Sequence, residues 1–549
     1  MNSTSILGTL TLVIYVGSAG CTSNDWPTYR SNAARTAHQP HASALSDPVR
    51  VSTLHQVWEF KPSNVGDSDT DGFAASPTVH DGRVFVGHRN GRFYALNANT
   101  GNMMWRYPPP PQPLLLQNFI GNPSSPGIAS SATVAEVRVP WFWFFKRDID
   151  VVIFGAPDPS ICTGSACGSG RLWALNADTG ALVWKSDVLA NVTGLTHITN
   201  PPSGFIEAHE RIGYSSPVVA DGKVYVGIAD NGDSPIQRGK LFAVNLQTGT
   251  LVGTFNFTAS GPPRGGGIWS SPAARGDAVF VTTGNGCTPG DGGCSTEPPN
   301  NHALSMLKLN GSTGAVLWKV QPVPWSMDDD PDWAGTPLVT ETSCGTLSVG
   351  TMKDGYTHAV HADTGAVAWS FPFVTGGLPF TYGDHSDWGW TRPAAAWKDV
   401  IVAITGGFPI TTSGFTRWDG YNRLYALNAC APYNPADRGR VRWIADIPGL
   451  EYTGQPTVTR GIVYIGNSAG KLFAVADPDV ASAVGTRCSN PLAAYVSIPV
   501  CLASGFEAVP SPKILATVQL TGSIRTEPAI ARGRVYVATT AGHVHALEP

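Results

Sequence analysis

The stretch SPTVHDGRVFVGHRNGRFYALNANTGNMMW, residues 76–105, is the first full copy of a unit that recurs along the chain. It opens with Ser-Pro-x-Val, passes through two apolar runs bounded by glycines, and ends with Ala-Leu-Asn, Thr-Gly and a tryptophan. Alternating runs such as Val224–Val226 and Val535–Val537 predict strands rather than helices. Each unit is predicted to form four strands, the last of which follows the tight turn that Thr-Gly favours.

Seven further copies follow, and each is recognised by the pair at its start. These pairs are Ser131-Ala132, Ser216-Pro217, Ser271-Pro272, Thr336-Pro337, Arg392-Pro393, Gln455-Pro456 and Glu527-Pro528. The eighth copy stops at Leu547, before any Thr-Gly or tryptophan, and Val57–Phe60 matches the strand that it lacks. An unpaired last blade would leave an open sheet edge. The repeats therefore predict an all-β, eight-bladed β-propeller of four-stranded blades, closed by an N-terminal strand.

We expect one propeller over residues 22–549, and the repeated tryptophans should pack between neighbouring blades. Departures from the repeat predict loop insertions at 107–130, 138–148, 431–441 and 477–513. The second insertion contains the aromatic run Pro140–Phe145, which is either an exposed docking surface or a buried hairpin. The net charge of −4 gives no electrostatic footprint for nucleic acid.

Residues 1–21 resemble an export signal. The apolar run Ile6–Gly20 is too short to span a bilayer and ends in small residues before Cys21. Ser18–Cys21 also resembles a bacterial lipobox, so the segment is either an ordinary signal peptide or the signal of a protein anchored to a membrane through a lipidated Cys21. Either alternative predicts a periplasmic or secreted protein.

Eight cysteines follow Cys21, and an even number in an exported chain favours disulfides. Proximity within loops predicts the pairs Cys162/Cys167, Cys287/Cys294 and Cys488/Cys501, which leaves Cys344 and Cys430. The sequence has no Cys-x-x-Cys-His motif for covalent haem. A redox enzyme built on this chain would therefore need a separate electron acceptor.

The repeat resembles that of the eight-bladed quinoprotein alcohol dehydrogenases. The opening Asp25–Tyr29, followed by Asn32–Thr36, resembles the polyvinyl-alcohol-dehydrogenase-like members. This resemblance implies pyrroloquinoline quinone (PQQ), a calcium ion, and oxidation of polyvinyl alcohol or another secondary alcohol, with electrons passing to an acceptor such as a cytochrome c. A cofactor-free scaffold of the outer-membrane assembly machinery shares the repeat. The alternative is thus a non-enzymatic propeller scaffold or lipoprotein.

Residues 265–269 resemble the segment that forms the floor under the quinone. The resemblance assigns cofactor contacts to Gly266, Gly267 and Trp269, since glycines let a ligand approach the backbone closely. Trp269 could instead be a core residue at the propeller axis. Asn285, within Thr283–Gly286, corresponds to a calcium ligand, and its amide oxygen suits that hard cation. Asparagine is also common in turns.

Asp332 corresponds to the family's catalytic aspartate, which also contacts calcium. A carboxylate is suited to take the proton from an alcohol. The acidic run Asp328–Asp330 leaves the register open, and a solvated acidic loop is the alternative. Lys353 corresponds to the cation that contacts the quinone oxygens and would stabilise the reduced, anionic quinone. It could otherwise be a surface lysine in a turn.

Three departures from the family pattern support the scaffold alternative. The paired adjacent cysteines are absent, and Ala74 stands where the first blade has a glutamate. The calcium-binding glutamate of the third blade has no match, although Asp230 or Asp233 could replace it. We assign Asp233 as a third metal ligand beside Asn285 and Asp332. Convergence of Trp269, Asn285, Asp332 and Lys353 near the axis would favour the enzyme.

Overall fold

The computed structural model describes a propeller whose axis is lined by the inner strands. The described residues are 24–114, 119–120, 127–140, 145–161, 170–189, 206–207, 212, 214–228, 239–256, 266–286, 301–323, 332–333, 335–354, 356–372, 392–404, 409–412, 415–418, 421–431, 440–448, 454–488 and 508–549. Within them lie eight four-stranded antiparallel sheets, as the repeats predict. Among these residues no helix has the length and apolar character needed to cross a membrane.

Seven blades take their four strands in chain order, and in blades six and seven a separate hairpin is inserted between two of these strands. Blade one has β2 (Thr78–His80), β3 (Arg83–Gly87), β4 (Phe93–Asn97) and β5 (Met103–Tyr107); blade two has β7 (Thr133–Pro140), β8 (Lys146–Pro157), β9 (Gly170–Asn176) and β10 (Leu182–Lys185). Blade three has β12 (Val218–Ala220), β13 (Lys223–Ile228), β14 (Lys240–Asn245) and β15 (Leu251–Asn256); blade four has β16 (Ala273–Arg275), β17 (Ala278–Thr282), β18 (Met306–Asn310) and β19 (Val316–Val320).

The remaining blades follow the same order from the axis outwards. Blade five has β20 (Leu338–Thr342), β21 (Gly345–Thr351), β22 (Tyr356–His361) and β23 (Val367–Pro372); blade six has β24 (Ala395–Trp397), β25 (Val400–Ile404), β28 (Tyr421–Asn428) and β29 (Val441–Pro448). Blade seven has β30 (Thr457–Val458), β31 (Ile462–Gly466), β32 (Lys471–Ala476) and β35 (Lys513–Gln519); blade eight has β36 (Ala529–Ala531), β37 (Arg534–Ala538), β38 (Val544–Glu548) and, from the N-terminal side, β1 (His55–Phe60).

Short elements occur outside the blades. They are β6 (Phe119–Ile120) parallel to β11 (Ile206–Glu207), the hairpins β26 (Pro409–Thr412) with β27 (Phe415–Trp418) and β33 (Gly485–Cys488) with β34 (Ala508–Ser511), helix α1 (Pro48–Val51), and 3₁₀ turns at Ala44–Ser46, Pro62–Val65 and Pro159–Ile161. Phe145 of the aromatic run is exposed. Residues 141–144 of that run, and residues 1–23 with the predicted signal, lie outside the described part of the chain.

Strand β1 closes the ring. It pairs antiparallel with β38, so that Trp58 lies opposite Ala546 and Glu59 lies opposite His545. The clasp predicted from the incomplete eighth copy is therefore confirmed. Trp58 also fills the position of the missing blade tryptophan, since a Cβ at Gly101 of blade one would lie 2.6 Å from its ring.

The blade tryptophans pack between neighbours, as expected. Trp105 donates its indole N–H to the carbonyl oxygen of Ala177 in the next blade, at 3.1 Å. A Cβ at Gly180 would lie 2.6 Å from the Trp105 ring. The Thr-Gly glycine therefore has two uses: its positive φ of 71° makes the turn, and its missing side chain makes room for the tryptophan.

The N-terminal segment lines the axial channel. Its main chain bonds to the inner strands of six blades and to the residue after the inner strand of blade eight. The pairs are Asn24/Arg532, Trp26/Val79, Pro27/Val134, Ala33/Ala274, Ala34/Val339, Thr36/Ala396 and Ala37/Val458. The segment thus follows the ring of blades around the axis. These bonds satisfy main-chain polar groups of the inner strands.

A disulfide joins Cys344 of blade five to Cys430 of blade six, with an S–S distance of 2.10 Å. It is the pair left over by the loop-proximity prediction. The three local pairs each include at least one cysteine outside the described residues, so they remain predictions.

Candidate active site

Trp269 lies just before inner strand β16, on a glycine segment held between two blades. The N–H of Ile268 donates to the carbonyl of Ile228 in blade three, at 2.9 Å, and the N–H of Gly284 donates to the carbonyl of Gly267, at 2.7 Å. A Cβ at Gly239 would lie 1.6 Å from the carbonyl oxygen of Gly266, so only glycine allows this approach. The segment is therefore fixed on both sides, and the Trp269 side chain is half-buried.

Asp332 lies against Trp269 and Lys353. The Trp269 indole N–H donates to Asp332 Oδ2 at 2.6 Å, and Lys353 Nζ lies 2.6 Å from Asp332 Oδ1. Lys353 Nζ is also 5.4 Å from the centroid of the Trp269 ring. The side chains of Lys353 and Asp332 are 11% and 6% exposed. A flat ring, a carboxylate and a cation therefore share one nearly buried place between blades four and five.

Asn285 follows a glycine that touches this group. A Cβ at Gly284 would lie 3.6 Å from both Asp332 Oδ2 and Trp269 Cδ1. The carbonyl of Asn285 accepts from the N–H of Gly266, at 2.8 Å, and the residue is 8% exposed. The structure thus brings together the segments that carry Trp269, Asn285, Asp332 and Lys353, together with Gly266 and Gly267.

The other predicted positions add no ligand that the structure describes. Asp233, the alternative Asp230 and the acidic run Asp328–Asp330 lie outside the described residues. Ala74 is described and half-buried, and its methyl group offers no metal ligand. Of the three predicted metal ligands, Asp332 and Asn285 are therefore the two that the structure describes.

A polar network supports the turn that carries Lys353, and sequence reasoning missed it. Asp354 accepts from the N–H of Tyr356 at 2.9 Å, and its other oxygen lies 2.9 Å from His358 Nε2. His358 Nδ1 is 2.8 Å from Ser370 Oγ. The His358 ring also lies 5.4 Å from that of Trp333, the neighbour of Asp332. The network therefore connects the backbone next to both charged site residues.

A second missed group lies on the axis. Arg30 and Glu527 form a fully buried ion pair, with Nη1 and Oε1 3.3 Å apart. Arg35 donates to the carbonyl oxygen of Pro272, three residues after Trp269, at 2.9 Å. Burial lowers the pKa of Arg35 to about 9, and burial raises the pKa of Glu527 to about 7 against the opposing effect of Arg30. The only sequence signal was the resemblance of residues 25–36 to a family opening.

A protein-family model described as "Glucose/ethanol/alcohol dehydrogenase, beta-propeller domain", and designated PQQ, matches residues 26–330. The chain belongs to this family. The match includes Trp269 and Asn285 but ends before Asp332 and Lys353, so the structure adds those two residues to the same site.

Curated relatives share a modest part of the sequence. The chain is 24% identical to the quinoprotein glucose dehydrogenase of Escherichia coli over 55% of its own length and 38% of that protein. It is 25% identical to the polyvinylalcohol dehydrogenase of Sphingopyxis sp. over 54% of its length and 39% of that relative. The chain therefore spans less than half of either relative.

Solved structures share the fold over nearly the whole chain. A europium-containing methanol dehydrogenase superposes with a TM-score of 0.64 and 15% identity, covering 96% of this chain and 99% of the other. The quinohemoprotein alcohol dehydrogenase of Comamonas testosteroni gives a TM-score of 0.64 and 17% identity, covering 95% and 80%. At these identities the likeness establishes the eight-bladed fold.

Proposed function

We propose that the protein is an exported PQQ-dependent dehydrogenase that oxidises an alcohol, with polyvinyl alcohol and other secondary alcohols as the substrate class. The observation that carries this proposal is the cluster of Trp269, Asp332 and Lys353 in a propeller of the PQQ family. The cluster provides a stacking surface, a proton acceptor and a cation within contact of one another.

The residues present fit the quinone. PQQ is planar and carries carboxylates, so it needs an aromatic face and positive charge. The half-buried Trp269 ring supplies the face, while Gly266 and Gly267 keep side chains away from it. Lys353, close to that ring, supplies the charge. Bound there, PQQ would supply the two-electron acceptor for alcohol oxidation.

Asp332 would accept the proton of the substrate hydroxyl. Its Oδ2 accepts the indole N–H of Trp269 and its Oδ1 lies in an ion pair with Lys353, and both contacts stabilise and orient the carboxylate. An ionised carboxylate has about four lone-pair sites, so a hydroxyl can still donate to it. The low exposure of the group excludes bulk water, which strengthens these charge interactions.

The proposed site also binds a hard cation. The Asp332 carboxylate and the Asn285 amide oxygen are ligands that calcium or a similar ion prefers, with Asp233 as the proposed third. Such an ion would act as a Lewis acid towards the bound oxygens. Lys353 Nζ lies 2.6 Å from Asp332 Oδ1, so its positive charge would weaken the binding of a cation by that carboxylate.

The proposed enzyme is exported and passes its electrons to a separate acceptor, such as a cytochrome c. The apolar run before Cys21 supports export to the periplasm or beyond, with or without a lipid anchor at that residue. The Cys344–Cys430 disulfide is typical of an oxidising compartment. The absence of Cys-x-x-Cys-His from the sequence supports an acceptor on another protein.

Reconstitution tests the proposal. Purified protein is incubated with PQQ and Ca²⁺, and in parallel with a lanthanide, and its oxidation of primary, secondary and polymeric alcohols is followed with an artificial electron-accepting dye. We expect activity that requires both PQQ and an alcohol. A folded protein that binds no PQQ under any of these conditions would contradict the proposal and support the cofactor-free scaffold.

A further inference from the structure

The closure of the ring brings two histidines and a glutamate together. Glu59 on β1 lies directly opposite His545 on β38, and His543 precedes His545 by two residues on the same face of the sheet. Because Glu59 and His543 are 484 residues apart in sequence, only the completed propeller assembles this group. It lies on blade eight, away from the site between blades four and five.

The candidate ligand atoms are close to one another. Glu59 Oε1 is 2.8 Å from His543 Nδ1 and 3.8 Å from His545 Nδ1, and the three ligand atoms all lie within 4.8 Å of each other. Gln56 Oε1, 2.9 Å from His545 Nδ1, is a second oxygen beside this group. The His545 side chain is fully buried, and those of His543 and Glu59 are 10% and 23% exposed. A bound ion would thus be largely shielded but still reachable from solvent.

The donor set selects a class of metal. Two imidazole nitrogens and a carboxylate are characteristic ligands of zinc, which binds nitrogen and oxygen at about 2.0–2.2 Å in a tetrahedral arrangement. Small side-chain rotations would bring these atoms to that distance from a common centre. Calcium and magnesium prefer all-oxygen sites. We propose that Glu59, His543 and His545 bind a zinc-class divalent cation that fastens the N-terminal strand to the C-terminal strand.

The charge of Lys61 should affect the affinity of this site for a divalent cation. Its Nζ lies 3.3 Å from Glu59 Oε2, the oxygen that does not face the histidines, and its side chain is 37% exposed. The ammonium group repels a divalent ion, but its exposure lets it turn towards solvent. Removing the Lys61 charge should therefore tighten metal binding, whereas it would loosen a simple hydrogen-bonded ion-pair network.

Zinc titration of the tag-free, chelator-treated full chain tests the proposal by calorimetry and thermal unfolding. We expect one ion per chain with a Kd of about 1 μM or tighter, and a melting temperature that rises with zinc. Glu59→Gln and His543→Gln should each weaken binding by about tenfold or more, while Lys61→Met strengthens it. His545→Gln is a secondary variant, because replacing a fully buried side chain can also impair folding.

Two controls separate this site from others. His361→Gln, a half-buried histidine at the end of β22, should bind zinc as the unchanged protein does, and Asp332→Asn reports any zinc held at the site between blades four and five. Equal zinc affinity in Glu59→Gln, His543→Gln and the unchanged protein would overturn the proposal. Loss of binding in Asp332→Asn alone would also overturn it. The result does not depend on PQQ, so it is independent of the proposed dehydrogenase activity.

Discussion

Two of the described tryptophans, both in the blade-four part of the chain, have different hydrogen-bond partners. Trp318, on outer strand β19, donates its indole N–H to the backbone carbonyl of Ala362 at 3.0 Å, and a Cβ at Gly365 would lie 2.7 Å from it. Trp269 donates instead to the carboxylate of Asp332 and has Lys353 near its ring. The same side chain thus serves blade packing where its partner is backbone, and forms a candidate cofactor surface where its partners are charged side chains.

The largest expected effect is the loss of kcat in Asp332→Asn, which changes the charged partner of Trp269. Asp332→Asn keeps the shape of the side chain but removes the proton acceptor, so we expect kcat to fall by about 10²- to 10⁴-fold with PQQ still bound. Steady-state dye-linked kinetics together with PQQ absorbance measure the two quantities. An Asp332→Asn enzyme with unchanged kcat would mean that another group accepts the proton.

Trp318→Ala should act on stability instead. Removing a tryptophan that is 8% exposed leaves a cavity between blades four and five, and we expect a loss of about 3 kcal/mol in the free energy of unfolding. Trp269→Ala, at a half-buried position, should cost less. Denaturant unfolding of both variants makes the comparison, and an equal loss would show that Trp269 is also a packing residue.

The axial ion pair gives a smaller, pH-dependent effect. Burial raises the pKa of Glu527 from 4.5 to about 7, so between these values the folded protein holds a proton that the unfolded chain has released. Stability should therefore fall as pH rises through this window, by about 1–3 kcal/mol. Glu527→Gln should flatten this part of the pH profile, although above about pH 7 it destabilises the protein by removing the charge that pairs with Arg30. The same slope in both proteins would contradict the assignment.

The sequence predicted the blades because each repeat encodes its own strands, turn and tryptophan. It also predicted the closure, since the missing last strand of copy eight matched Val57–Phe60. Trp269 could be distinguished from Trp318 by position alone: it precedes the Ser-Pro pair rather than ending a blade. Assignment of roles to Asp332 and Lys353 required the family resemblance.

Groups formed across the ring could not be read from local patterns. The ion pair of Arg30 and Glu527 joins opposite ends of the chain, and no local sequence pattern around either residue predicts the contact. The contact of Asp354 with His358 crosses a tight turn and depends on the geometry of that turn. Glu59 and His543 meet only when the ring closes, so their proximity is a property of the completed fold.

Quinone affinity tests the central claim most directly. PQQ is titrated in the presence of Ca²⁺ into the unchanged protein, Trp269→Ala and, as the matched control, Trp318→Phe, and binding is followed by absorbance. We expect one PQQ per chain, an affinity about tenfold or more weaker in Trp269→Ala because the stacking surface is lost, and an unchanged affinity in Trp318→Phe. Equal affinity in all three proteins, or no binding by the unchanged protein, would contradict the account.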